Sequence, residues 1–212
     1  MDQVAVITGD IKNFTALEID KRQKFINQTA LLFKSWVSSP EEAEIFRGDS
    51  FQLIFKEPKV ALYKGIQAIC WFIQNSELKN NVFLSSRISI GIGSVAYIGN
   101  GVLNSDGEAF HLSGRNFDQQ QDGELIGIHL NDQNKDRLLQ VLLVFINKLI
   151  IQWNKGQAEV IYLILENKTQ QQIGEQLKIS QSSVNSRLKT SQWKDIANAF
   201  KYIEDLILSN AN

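Results

Sequence analysis

Two hydrophobic rhythms alternate along the N-terminal part of the chain. Residues 4–7 (Val-Ala-Val-Ile) form a short apolar run closed by Thr8-Gly9-Asp10, which reads as a buried strand. Over residues 16–36 the apolar positions Phe25, Ile26, Ala30, Leu31, Phe33 and Trp36 recur at helical spacing. Pro40 marks a loop, and the segments 43–47 and 51–55 flank Gly48-Asp49-Ser50 as a hairpin. A second helix is predicted over 60–75. Residues 85–93 alternate Ile88, Ile90 and Ile92 against Arg87, Ser89 and Gly91, the pattern of a half-exposed strand. Turn signals at 99–101 and 105–107 precede a short helix over 108–119 and a last strand over 125–129. The core of this order is a split βαβ arrangement, an antiparallel sheet with helices on one face.

The pattern then becomes helical throughout. Residues 134–153 are apolar nearly all round, so another surface must cover that helix, either between two domains or in a second chain. Four shorter helical segments follow, at 156–166, 169–177, 181–190 and 194–208. Thr169 suits an N-cap, Ile173 and Leu177 form the inner face of the 169–177 segment, and Gly174 permits a close approach. After the turn Lys178-Ile179-Ser180, Ser180 caps the next helix, whose inner face is Val184 and Leu188. Its outer face carries Gln181, Ser182, Ser183, Asn185, Ser186, Arg187 and Lys189. Short polar side chains near a helix N-terminus suit base edges and phosphates, because bulk there would hold the helix out of the groove. Thr169 and Gln170 join this set, with Arg187 and Lys189 directed to phosphates. A plain three-helix bundle with a polar surface is the simpler alternative. This C-terminal segment resembles the helix-turn-helix of LuxR-type regulators and of sigma-factor region four, which implies that the 181–190 helix enters the major groove.

Composition sharpens this picture in one place. Of 212 residues, 43% are hydrophobic and 21% charged, with a net charge of −1, so the whole molecule has no strong attraction to polyanions. The basic character is local: residues 178–201 carry five basic residues and one acidic residue, whereas residues 1–152 carry 15 basic and 17 acidic. The single cysteine, Cys70, lies in an apolar helical stretch and reads as a core residue, so no disulfide framework is expected. The N-terminus has no signal-peptide pattern, and residues 138–151 are too short and too polar to span a bilayer. A cytoplasmic protein without a membrane partner is expected.

Candidate chemistry lies at the ends of the predicted strands. Asp10 follows the first strand and Asp49 sits in the hairpin turn. In a split βαβ sheet those strands are neighbours, so the two carboxylates converge, and a divalent cation would relieve their repulsion. The plainer roles are a cap for Asp10, a turn for Asp49 and a surface ion pair for Arg115. Arg47 and Arg87 read as solvated strand residues, Trp153 and Trp193 as packing anchors, and His111 with His129 has no zinc-ligand spacing.

Four segments occur in order: Gly9-Asp10-Ile11-Lys12-Asn13-Phe14-Thr15, Phe46-Arg47-Gly48-Asp49-Ser50-Phe51, residues 87–93, and Asp106-Gly107 through Gly114-Arg115. Together they resemble the class III nucleotide cyclase catalytic domain. They resemble more closely the SatD-like family, which joins such a domain to a C-terminal helix-turn-helix. The resemblance implies that Asp10, Asp49 and the Ile11 carbonyl hold Mg²⁺ or Mn²⁺. It implies that the Lys12, Asn13 and Phe14 backbone approaches phosphate where the next helix begins, and that Arg115 steadies the transition state of a bound nucleoside triphosphate. It departs from the cyclase pattern at Glu44, Ile45 and Phe46, where a purine-selecting lysine is expected, and at His111, which replaces an asparagine.

The resulting expectation is an α+β protein. A ferredoxin-like, cyclase-like domain spans 1–132, a linker or dimerisation helix 133–153, and a helix-turn-helix domain 154–212. The expected function is that of a homodimeric regulator of transcription that binds double-stranded DNA, with an N-terminal domain for assembly or for sensing a nucleoside triphosphate or cyclic nucleotide. The alternative is a metal-dependent nucleotide cyclase or nucleotidyl transferase with a DNA-binding tail.

Overall fold

The computed structural model describes residues 3–76 and 84–208. Residues 4–129 contribute a five-stranded sheet built from β1 (Val4–Lys12), β2 (Ala43–Phe46), β3 (Ser50–Phe55), β4 (Ser85–Gly93) and β5 (Ile126–His129), in the order β2-β3-β1-β4-β5. All neighbours are antiparallel except β4 and β5, which run parallel. Between and after the strands lie α1 (Ile19–Lys34), α2 (Pro58–Gln74), α3 (Glu108–Gln119), α4 (Gln133–Ile150), α5 (Lys155–Leu165), α6 (Gln170–Leu177), α7 (Gln181–Thr190) and α8 (Trp193–Leu208). The protein is thus mixed α and β, with a central sheet and eight α-helices among the described residues.

Strand alternation divides the sheet's side chains between two layers. Ala5, Ile7 and Ile11 of β1 join Phe51, Leu53, Ile88, Ile90 and Ile92 in the large core, with Phe25 and Phe33 of α1 and Ile66, Ile69 and Phe72 of α2. Val6 and Ile54, directly paired in register, point the other way and pack with Ala109 and Phe110 of α3. The sheet therefore carries helices on both faces, not on one. β4 is correspondingly buried on both sides along residues 88–93 rather than half exposed, because α3 lies across it. Gly91 is what permits this: a Cβ there would stand 2.3 Å from the Ala109 carbonyl oxygen.

The C-terminal helices do not stand apart from the sheet. α2, apolar at most positions, is buried between the sheet and α5. Trp71 meets Tyr162 with ring centroids 6.2 Å apart, and Tyr63 meets Phe200 at 5.8 Å. The Tyr63 hydroxyl donates to Glu204, and Lys135 Nζ donates to the Leu206 carbonyl. The helix enclosed nearly all round is α2, not α4. On α4 only Leu139, Leu143, Ile146, Asn147 and Ile150 are buried, while Val141, Val144 and Phe145 face solvent. No helix among the described residues is long and apolar enough to cross a membrane.

Candidate nucleic-acid interface and the carboxylate end of the sheet

α6 and α7 are short helices set by their caps. The Thr169 side chain accepts from Gln172 N at 3.3 Å, and Gln172 Oε1 accepts from Thr169 N at 2.9 Å, a reciprocal capping box. α6 ends at Lys178 in the left-handed region (φ 55°), and Ile179 N closes the turn by donating to the Gly174 carbonyl at 2.9 Å. A Cβ on Gly174 would lie 2.9 Å from the Ile179 carbonyl oxygen, so the close approach expected there is present. Ser180 Oγ then accepts from Ser183 N at 3.1 Å and starts α7. Ile173 and Val184 are fully buried between the two helices, with Leu188 partly so.

This leaves Gln181, Ser182, Asn185, Ser186 and Lys189 exposed on α7, with Thr169 and Ser180 exposed nearby. Gln170 and Ser183 are half-buried. Arg187 is half-buried. Its guanidinium turns back onto α5, where Nη1 donates to the Gly156 carbonyl and to Glu159 Oε2, both at 3.3 Å. The Arg187 charge, expected at a phosphate, is paired inside the helical unit with Glu159. Lys155 is exposed at the start of α5.

Trp153 and Trp193 are buried anchors as expected. The Trp153 indole N–H donates to the Ser191 carbonyl at 2.9 Å, and the two rings meet edge to face at 6.3 Å.

In the sheet, β1 and β3 bring Asp10 and the hairpin together. Ile11 N donates to the Asp49 carbonyl at 2.9 Å, with Arg47 (φ 52°) and Gly48 (φ 92°) forming the turn. Asp10, however, is the direct cross-strand partner of Arg87. Arg87 Nη2 stands 3.0 Å from Asp10 Oδ2, and the two side chains are only 24% and 27% exposed. Arg87 is therefore not a solvated strand residue. Its guanidinium also lies 4.3 Å over the Phe117 ring.

The phosphate-facing backbone differs as well. Lys12 is still within β1, and its ammonium lies 3.7 Å from Asp122. Asn13 adopts φ 62° and leads into a three-residue 3-10 turn at Phe14–Ala16, while α1 begins only at Ile19. No α-helix N-terminus thus sits at Lys12, Asn13 or Phe14. The extended Leu17 (ψ 146°) breaks the helix that periodicity carries back to residue 16.

Arg115 lies exposed on α3, and Ser113, two residues earlier, faces the sheet, where its hydroxyl is 2.9 Å from Thr8 Oγ1. Arg115 lines a separate cavity with Asp106, Glu108, His111, Asn116 and Asn131. There His111 Nε2 pairs with Asp106 Oδ1 at 2.7 Å. Glu108 is held below the usual carboxylate range by hydrogen bonds from the Ser94 backbone and from Asn131. Neither Asp10 nor Asp49 lines that cavity.

As a test for Mg²⁺ or Mn²⁺, the donor set at Asp10 fits poorly. One carboxylate oxygen already faces a fixed guanidinium, and among the described residues no three His, Cys, Asp or Glu side chains gather as metal ligands. No protein-family model matches the chain, and no curated protein matches it either.

Proposed function

We propose that the chain is a DNA-binding regulator of transcription in which α7 enters the major groove. The observation that carries this reading is the exposed row Gln181, Ser182, Asn185, Ser186 and Lys189 on a Ser180-capped helix, backed by a buried Ile173–Val184 contact to α6. Hydroxyl and amide groups of this size reach base edges without holding the helix away, and the local excess of basic residues supplies attraction to the backbone.

The N-terminal sheet supports a ferredoxin-like, cyclase-like domain of the SatD-like kind, with the strand order β2-β3-β1-β4 expected of a split βαβ core. Its task in this reading is assembly or nucleotide sensing. The Asp10–Arg87 pair, and the cavity at Arg115 that neither Asp10 nor Asp49 lines, favour this over turnover of a nucleoside triphosphate within one chain. A homodimer follows from the sparse positive charge. One helix-turn-helix with so few cations binds weakly at physiological salt, and two copies reading half-sites about 34 Å apart would compensate.

The test is selection of bound duplexes from a random-sequence pool, followed by anisotropy with the enriched duplex. The double variant Ser182→Ala/Asn185→Ala is expected to lose preference for the enriched sequence over a scrambled one. No enrichment by the wild-type chain would remove the DNA reading altogether.

A further inference from the structure

We propose that Arg87 is the resident counter-ion of Asp10 and that it closes this end of the sheet to a divalent cation. The register of β1 and β4 fixes the pair, since Asp10 and Arg87 are direct neighbours on the face that α3 covers. The guanidinium is then held on three sides. Nη2 is 3.0 Å from Asp10 Oδ2, the Phe117 ring lies 4.3 Å beneath, and Nη1 approaches the Gln120 carbonyl at 3.5 Å. A planar cation stacked and bonded in this way is ordered in advance, so keeping the pair costs little further side-chain entropy. A metal ion arriving at Asp10 meets a fixed like charge at contact distance, in a partly buried site where water screens it weakly.

The polar atoms around the pair point the same way. Asp10 Oδ1, Arg87 Nε, Ser89 Oγ and Gln120 Oε1 are buried without a hydrogen-bond partner. This set mixes acceptors with a donor. A metal ion satisfies oxygens only and leaves the Arg87 Nε–H unanswered. Water both accepts from Nε and donates to the carboxylate and amide oxygens, so the surroundings suit a hydrated ion pair rather than a cation site. Removing the guanidinium reverses the logic, because a partly buried carboxylate left uncompensated becomes a cation-seeking group with Asp49 in the adjoining turn.

The test uses the full chain and Mn²⁺ alone, with bound ion read from loss of the free-ion paramagnetic resonance signal. Wild type and Arg87→Lys are expected to show no Asp10-dependent binding up to millimolar Mn²⁺. Arg87→Gln is expected to bind Mn²⁺ at least about tenfold more tightly, an effect lost again in Arg87→Gln/Asp10→Asn. Wild-type binding abolished by Asp10→Asn overturns the proposal, as does a folded Arg87→Gln that gains nothing. If Arg87→Gln fails to fold by circular dichroism, the wild-type comparison with Asp10→Asn decides alone. None of these outcomes depends on whether α7 binds DNA.

Discussion

Arg187 shows how a single side chain changes its meaning once its neighbours are known. Its charge and its place on α7 point to a phosphate, yet the guanidinium bridges Gly156 and Glu159 of α5. Gly156 leaves room for it, since a Cβ there would stand 3.0 Å from the Arg187 Cζ. Arg187→Ala is therefore expected to lower stability by about 1 kcal/mol, the scale of a partly exposed ion pair. Thermal unfolding should fall by roughly 2–4 °C for a chain of this size. The dependence of DNA affinity on salt should keep its slope. Lys189→Ala is expected to do the opposite, leaving the unfolding temperature in place and reducing the slope by about 0.9 per chain, about 1.8 for the proposed dimer. An equal loss of slope for Arg187→Ala would return that residue to the DNA contacts. His129 provides a second residue-scale prediction. Burial lowers its pKa from 6.5, outweighing the opposing pull of Asp136 and Glu124. The unfolded chain thus takes up a proton at a higher pH than the folded one does. Stability should be flat above the unfolded value, fall as pH drops through it, and level off below the folded value. Urea midpoints measured from about pH 7 to pH 5 should show this slope for wild type and a shallower one for His129→Gln.

At the scale of elements, the caps were the most legible features. Thr169, Ser180 and the turn between them mark α6 and α7 because capping is a local hydrogen-bond problem, solved within three residues of the helix end. α4 shows the opposite. Its apolar character was plain in the sequence, but which side is covered was not. Asn147 lies on the buried side, where its amide bonds the β5 backbone: Oδ1 accepts from Leu125 N and Ile126 N, and Nδ2 donates to the Ile126 carbonyl, all at 2.9 Å. The other side exposes Val141 at 57%, Val144 at 48% and Phe145 at 63%, a row too apolar for an isolated surface. The homodimer proposed above would place its seam on this row. Phe145→Asp is expected to shift the light-scattering mass from two chains to one and to weaken DNA binding, with the far-ultraviolet circular dichroism unchanged. An unchanged mass would move the seam elsewhere.

For the whole molecule, the shared core matters more than the division into an α/β part and a helical part. The same buried cluster contains Ile69 of α2, Ile161 of α5 and Phe200 of α8. Urea unfolding followed by tryptophan fluorescence and by circular dichroism should therefore give one coincident transition. Two separated transitions would show that the helical part unfolds by itself.

Hydrophobic periodicity by itself determined nearly every element, because a helix or strand answers to residues within a turn or two of one another. The α7 surface was legible for the same reason, whereas the pairing of the Asp10 and Asp49 strands was expected from the split βαβ order of elements. The tertiary structure alone decided that α3 crosses the second face of the sheet and that α2 is the enclosed helix. It also decided that Asp10 is paired with Arg87 and Arg187 with Glu159. Those outcomes join residues 77 and 28 positions apart, brought together by strand register and helix packing that local spacing does not encode.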